Sequence, residues 1–195
     1  MKKIYFILMF TMLPALAIHA QVVYTSNFDT CTSGQNLASQ LGTPWTTWSN
    51  APGTSEDPLV SSAQSHSSPN SFKVINNNDC VLQLFDKISG RYKIEWYMYV
   101  ESGKLGYFNM LNNFNGASSI WGFQAYIYHD SIFVDANGSY AASTTFASNT
   151  WIKLHIIIDL DDDYATFYKD DTELVSYQWS KGPFGEGSTV KLDAV

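Results

Sequence analysis

From residue 21 onward, apolar and polar positions alternate with a period of two, in short runs separated by clusters of Gly, Asn, Asp, Ser and Pro. The pattern predicts strands at residues 22–28, 45–49, 58–61, 71–75, 80–85, 90–101, 106–115, 120–129, 131–135, 151–160, 164–169, 174–179 and 190–195. No stretch in this part sustains the 3.6-residue period of an amphipathic helix; the best candidate, residues 34–41, is barely two turns long. Many short strands without helices predict an all-β fold, a two-sheet antiparallel jelly-roll sandwich, since a single sheet of that width would leave one face uncovered.

The first twenty residues follow another pattern. Lys2 and Lys3 precede an apolar run from Ile4 to Ile18, broken by Pro14, and Ala20 supplies a small residue before Gln21. That is the layout of a secretory leader over residues 1–20, leaving one β-sandwich domain over 21–195. A membrane anchor is the alternative, opposed by the shortness of the run and by Pro14. Export places Cys31 and Cys80 in an oxidising compartment, where a disulfide is the economical reading and would stabilise the fold by ~4 kcal/mol. The alternative is a pair of buried free thiols.

Composition narrows the partners. The chain is 45% hydrophobic, 15% aromatic and 15% charged, with a net charge of -7 that grows more negative once Lys2 and Lys3 are removed. An acidic surface repels phosphate, which argues against nucleic acid and against anionic membrane as partners. Asn76-Asn77-Asn78-Asp79 and Asp161-Asp162-Asp163 fall where turns are required, and both read first as hairpin turns. The alternate spacing of Asp159, Asp161 and Asp163 admits a calcium loop, without the Gly and distal Glu of an EF-hand.

Several segments carry a family likeness. They are Phe28-Asp29, residues 44–53 with Trp45, Trp48, Ser49, Asn50, Pro52 and Gly53, Glu56-Asp57-Pro58, and residues 68–72 with Ser68, Pro69, Asn70, Ser71 and Phe72. Asp86-Lys87-Ile88-Ser89-Gly90, residues 97–100, Asp159-Leu160-Asp161 and Trp179-Ser180 add to it. Together they resemble the N-terminal sandwich domain of secreted Bacteroidota proteins that end in a type IX secretion sorting tail. The resemblance implies a fold like the concanavalin A-like lectins and glucanases. Relatives of that kind continue for further strands, so this domain is expected to be cut short at its carboxyl end. The resemblance also implies a structural calcium between the start of the chain and the last strand, with Asp29 and Asp193 as candidate ligands.

Candidate chemistry comes from strand alternation. In residues 90–101, Tyr92, Ile94, Trp96, Met98 and Val100 share one face while Lys93, Glu95, Tyr97 and Tyr99 share the other. In residues 120–129, Trp121, Phe123, Ala125 and Ile127 oppose Gln124, Tyr126 and Tyr128. Read as neighbouring strands, the two present one outer face of Tyr rings with carboxyl and amide groups, to which Asn109, Asn113, Lys153 and His155 can add. Such a face suits a sugar, whose apolar ring sides pack on aromatic rings while its hydroxyls need paired donors and acceptors. Glu95, Tyr97, Tyr99, Gln124, Tyr126 and Tyr128 are therefore the expected ligand-binding residues of a non-catalytic, secreted glycan-binding or adhesion module. A Tyr ladder that only stabilises the sheet is the bland alternative, and Trp45 with Trp48 is a second binding place whose first reading is packing. The alternatives are a glycoside hydrolase or polysaccharide lyase on the same fold, acting through Glu95 or His155, and a purely structural spacer domain. The Glu-x-Asp-x-x-Glu strand motif of sandwich glucanases is absent, and Arg91 is the sole arginine, which excludes an arginine-rich site for acidic glycans.

Overall fold

The computed structural model describes residues 24–185 and 189–195. The predicted leader lies outside the described residues. A short helix α1 (Leu37–Leu41) is followed by β1 (Trp45–Thr46), β2 (Leu59–Ser61), β3 (Ser71–Lys73), β4 (Val81–Lys87), β5 (Arg91–Tyr99), β6 (Gly106–Asn113) and β7 (Ile120–Tyr128). Then come β8 (Ser131–Ala136), β9 (Ser139–Thr145), β10 (Trp151–Asp159), β11 (Tyr164–Lys169), β12 (Thr172–Gln178) and β13 (Leu192–Ala194). They form a seven-stranded sheet ordered β1-β4-β13-β6-β7-β8-β9, a four-stranded sheet ordered β12-β11-β10-β5 and a β2-β3 ribbon. All pairings are antiparallel. This is the all-β jelly-roll sandwich that the alternation predicts.

Tight turns set much of the register. Asn137 and Gly138, between β8 and β9, both have positive φ (52° and 89°), the backbone that a two-residue hairpin with right-handed twist needs. His129-Asp130 and Asp170-Asp171 repeat the pattern after β7 and β11. Strand β9 has no counterpart in the predicted set, because Tyr140 is its one large side chain and the Ser, Ala and Thr residues around it alternate no apolar face with a polar one. Residues 24–28 form no strand; Phe28 instead turns its ring edge-on to Trp45 and Phe72, with centroids 5.7 and 5.1 Å away.

The main core lies between the two large sheets. Phe123, Ile127, Ile132 and Val134 of the seven-stranded sheet meet Leu154, Ile156, Ile158 and Phe167 of the four-stranded one, all fully buried. Each such side chain contributes about 1.5–3 kcal/mol of burial. Trp179 is buried among them and donates its Nε1–H to the Lys191 carbonyl at 2.8 Å. A second apolar cluster forms around Cys31, Leu37 and Val60 with Trp45, Phe72 and Cys80 packed against it.

The motif residues behind the family likeness hold this second unit together. Asp57 is buried and accepts N–H bonds from Ala38 (2.8 Å), Ser39 (2.9 Å) and Gly53 (2.9 Å), so its carboxylate ties the first turn of α1 to the loop that follows β1. Glu56 accepts from Thr47 Oγ1 and from the Ser49 N–H, each at 3.0 Å. The expected Cys31–Cys80 disulfide is not formed: both are free thiols at the same cluster. Burial pushes both thiols up, and for Cys80 the charges of Asp57 and Asp79 push further in the same direction. Apolar packing keeps them protonated and unreactive.

Candidate functional site

The two strands read as neighbours are not neighbours. β5 is an edge of the four-stranded sheet, whereas β7 pairs with β6 and β8 inside the seven-stranded one. β5 keeps Ile94 and Trp96 inward as predicted, and β7 keeps Phe123, Ala125 and Ile127 inward but not Trp121. The sheets turn opposite faces to solvent, so the six expected ligand-binding residues split into Glu95, Tyr97 and Tyr99 on one side and Gln124, Tyr126 and Tyr128 on the other.

On the seven-stranded side, Gln124 and Tyr126 gain partners that alternation alone assigns elsewhere. Phe123 opposes Met110, but Trp121 opposes Leu111, so the register shifts and one extra residue, Gly122, stands in β7. A Cβ on Gly122 would lie 2.3 and 2.4 Å from Trp179 ring carbons; the missing side chain lets the core tryptophan close against the backbone. Past this bulge Trp121 belongs to the outer face, contrary to the alternation, which puts it with Phe123. There it packs with Trp48 (centroids 5.7 Å apart) over a third small apolar cluster of Val81, Leu111 and Ala194. Trp48 also meets Phe114 at 5.8 Å, which bears out packing as its role.

The Trp121 Nε1–H donates to the Tyr107 hydroxyl at 3.2 Å, and Asn109 Nδ2 donates to the same oxygen at 3.2 Å. The Tyr107 hydroxyl donates to Gln124 Oε1 at 3.1 Å, and Gln124 Nε2 donates to Asp135 Oδ2 at 3.0 Å. Burial raises the Tyr107 phenol, and burial with the Asp135 charge raises that of Tyr126, so both remain protonated across the neutral range. The two rings lie 5.2 Å apart and are 45% and 39% exposed. The Tyr126 hydroxyl has no hydrogen-bond partner among the described residues. Tyr128 stands apart, stacked on Phe133 at 4.7 Å. Tyr107 and Asp135 escape the sequence reading; register against β7 would have found them, since Tyr107 opposes Tyr126 and Asp135 opposes Gln124.

On the four-stranded side the predicted residues enter an ionic lattice. Lys93 Nζ lies 2.7 Å from Glu95 Oε2, and Lys153 Nζ lies 3.7 Å from Glu95 and 2.8 Å from Asp171. The Lys93 hydrogen bond holds Glu95 below the usual carboxylate range, and Lys153 does the same for Asp171. His155 opposes Glu95 across the strand pair, stacks on Tyr168 with centroids 4.5 Å apart and is buried. Burial and the Lys93 charge lower its pKa, so it is neutral at neutral pH. His66 covers one face of Tyr97 at 3.5 Å, and Tyr99 leans on Trp151 at 5.5 Å. Further along this face is an open depression of about 320 Å³, lined by Arg91, Ile157, Asp159, Asp162, Tyr164 and Thr166.

The carboxylates considered for calcium are bonded to donors. Asp193 accepts from the N–H groups of Asp86 (3.1 Å) and Phe114 (2.7 Å). Asp159, Asp161 and Asp163 accept main-chain N–H groups in and around the β10–β11 turn, including that of Ser180 at 2.8 Å. The cluster works as a turn. Asp29 retains one buried oxygen, Oδ1, without a hydrogen-bond partner. Among the described residues no three or more His, Cys, Asp or Glu side chains are grouped to hold a metal. No described helix is long and apolar enough to cross a membrane.

No family model matches the chain, and no curated protein sequence does. Among solved structures, a carbohydrate esterase from a Shiga toxin-encoding bacteriophage is similar over 82% of this chain and 87% of that chain, at 10% identity and a TM-score of 0.46.

Proposed function

We propose that this protein is an exported, non-catalytic glycan-binding module whose sugar lies on the outer face of the seven-stranded sheet, against Tyr107 and Tyr126. The observation that carries the reading is the hydrogen-bonded array running from Trp121 and Asn109 through Tyr107 to Gln124 and Asp135. It fixes two half-exposed phenol rings at neighbouring register positions, rigid enough to stack on a pyranose, and leaves the Tyr126 hydroxyl to bond its hydroxyl groups. A neutral glycan suits this face, whose one carboxylate in the array, Asp135, already accepts from Gln124. Asp29, with its unpartnered oxygen, is the place where a structural calcium belongs in this proposal, and a chelator would then lower the melting temperature.

Hydrolysis through Glu95 is opposed by its chemistry. A glycosidase proton donor needs a raised pKa, and Glu95 and its neighbour Asp171 are both held down by lysines.

A glycan array read with two single variants tests the proposal. Tyr126→Ala is expected to weaken binding about tenfold, the loss of roughly one stacked ring, while Tyr97→Ala on the opposite side leaves it unchanged. Equal loss in both variants, or loss only in Tyr97→Ala, would sink the assignment of this face.

A further inference from the structure

One cross-strand ion pair on the four-stranded face is left unmade. Arg91 of β5 stands directly opposite Asp159 of β10, an arrangement that ordinarily brings opposite charges together across antiparallel strands. Among the described residues Arg91 nevertheless has no ion pair and no hydrogen bond from its side chain. Asp159 is turned to its own loop, where Oδ1 accepts the N–H groups of Asp161 and Asp162 at 3.2 Å each. Both residues line the open depression of about 320 Å³, together with Ile157, Asp162, Tyr164 and Thr166. The Asp162 carboxylate and the second Asp159 oxygen also have no partner among the described residues.

Strand register gives the depression its shape. Arg91, Asp159 and Tyr164 oppose one another across β5, β10 and β11, and Lys93, Ile157 and Thr166 form the next outward row, two residues along. Rows ~7 Å apart on strands ~4.8 Å apart frame a patch the size of one sugar ring. Ile157 is half-buried and is the one aliphatic residue on the outward side of β10, while Tyr164 is 48% exposed. The chemistry then selects a ligand. A guanidinium needs acceptors and a free carboxylate needs donors, and here both stand at one depression. An anion placed on Arg91 meets Asp159 and Asp162, and a cation placed on those carboxylates meets Arg91, with Lys93 one row away. A hydroxyl both donates and accepts, so a diol on a neutral sugar serves guanidinium and carboxylate together, while the apolar side of its ring covers Ile157 and Tyr164.

We propose that this depression is a binding site for a single neutral hexose, separate from the Tyr107 and Tyr126 rings on the opposite face. Arg91 donates to one sugar hydroxyl, Asp162 accepts from its neighbour, Tyr164 stacks on the ring and Ile157 forms the floor. The site stands on its own residues, whether or not the seven-stranded face holds a glycan. A ligand of one ring is held with a dissociation constant on the order of millimolar, so the site is read by titration rather than on an array.

The test titrates the full chain with glucose, galactose and mannose and follows amide chemical shifts by NMR. Saturable shifts at Arg91, Ile157, Tyr164 and Thr166 are expected with at least one of the three sugars. The affinity should fall about tenfold in Arg91→Ala and in Tyr164→Ala and stay unchanged in Tyr126→Ala. Both Arg91 and Tyr164 are exposed, and spectra unchanged away from the depression show that the variants fold. No shift at these amides with any of the three sugars overturns the proposal, as does binding lost in Tyr126→Ala alone. Tighter binding of glucuronate or of glycine than of the neutral hexoses overturns the ligand class, in favour of an anion or a zwitterion. Hexose bound here by a protein that binds nothing on a glycan array supports the depression and sinks the opposite face, so the two proposals fail separately.

Discussion

The two outer faces of the sandwich begin from similar strands and become different surfaces. β5 and β7 each carry outward Tyr residues beside a carboxyl or amide group. On the four-stranded side, β10 brings Lys153 and His155 alongside β5, and the carboxylates saturate themselves with lysines while His66 caps Tyr97. On the seven-stranded side, β6 and β8 bring Tyr107, Asn109 and Asp135, and phenol and amide groups form a directional array that ends on the Asp135 carboxylate, with exposed ring area. What a strand's outward residues do is decided by the strands beside it. Exposed ion pairs spend their charges on each other for little stability, while the phenol–amide array holds two rings in place at the surface.

The comparison breaks most completely at Gly122. Gly122→Ala puts a methyl group against the Trp179 ring and 2.8 Å from Asn112 Oδ1. It should destabilise the protein by ~3 kcal/mol in chemical denaturation. Glycan binding should fall even where the variant remains folded, because the bulge that turns Trp121 outward is disturbed. Asp57→Asn comes next. An amide in place of a carboxylate cannot accept from all three main-chain donors, and a loss of about 2 kcal/mol is expected, with loosening of the loop that presents Trp48 to Trp121.

Acidity separates the faces by sign. The lowered carboxylates Glu95 and Asp171 favour the fold above their unfolded pKa and lose that contribution as pH falls through the folded value. His155, also lowered, resists in its buried place the proton that the unfolded chain takes up below ~6.5, so stability is lost as pH falls from there. The four-stranded side therefore loosens in acid. Asp79, whose charge reaches Tyr107, is pushed up to about 6 by burial and by Glu56, so its contribution is present in acid and lost as pH rises through about 6. It remains partly in solvent and the effect is small. Amide exchange mapped at pH 4.5 and 7.5 should show β10 and β11 less protected at the lower pH, and the loop around Asp79 less protected at the higher. The smallest expected change is Lys153→Ala, at most ~0.5 kcal/mol, with glycan binding untouched; a loss of binding there would shift the candidate site to the four-stranded face.

Much of this fold is legible in the chain. Asp161-Asp162-Asp163 marks the turn between β10 and β11, and the alternations in residues 90–101 and 151–160 separate inner from outer side chains correctly. β9 is illegible because its small residues mark neither face. Trp121 is misplaced because a bulge depends on Gly122 meeting Trp179, a contact between residues far apart in the sequence. The pairing of Tyr107 with Gln124 likewise depends on register.

By itself the sequence determines the all-β sandwich, the inward and outward sets of its long strands and the turns between them, because period, polarity and turn chemistry act over a few neighbouring residues. The tertiary structure alone decides which strands share a sheet. That choice splits six expected binding residues into two opposed surfaces and brings Trp121 round to Tyr107. Both depend on packing and main-chain bonding between distant segments, and no local pattern encodes them.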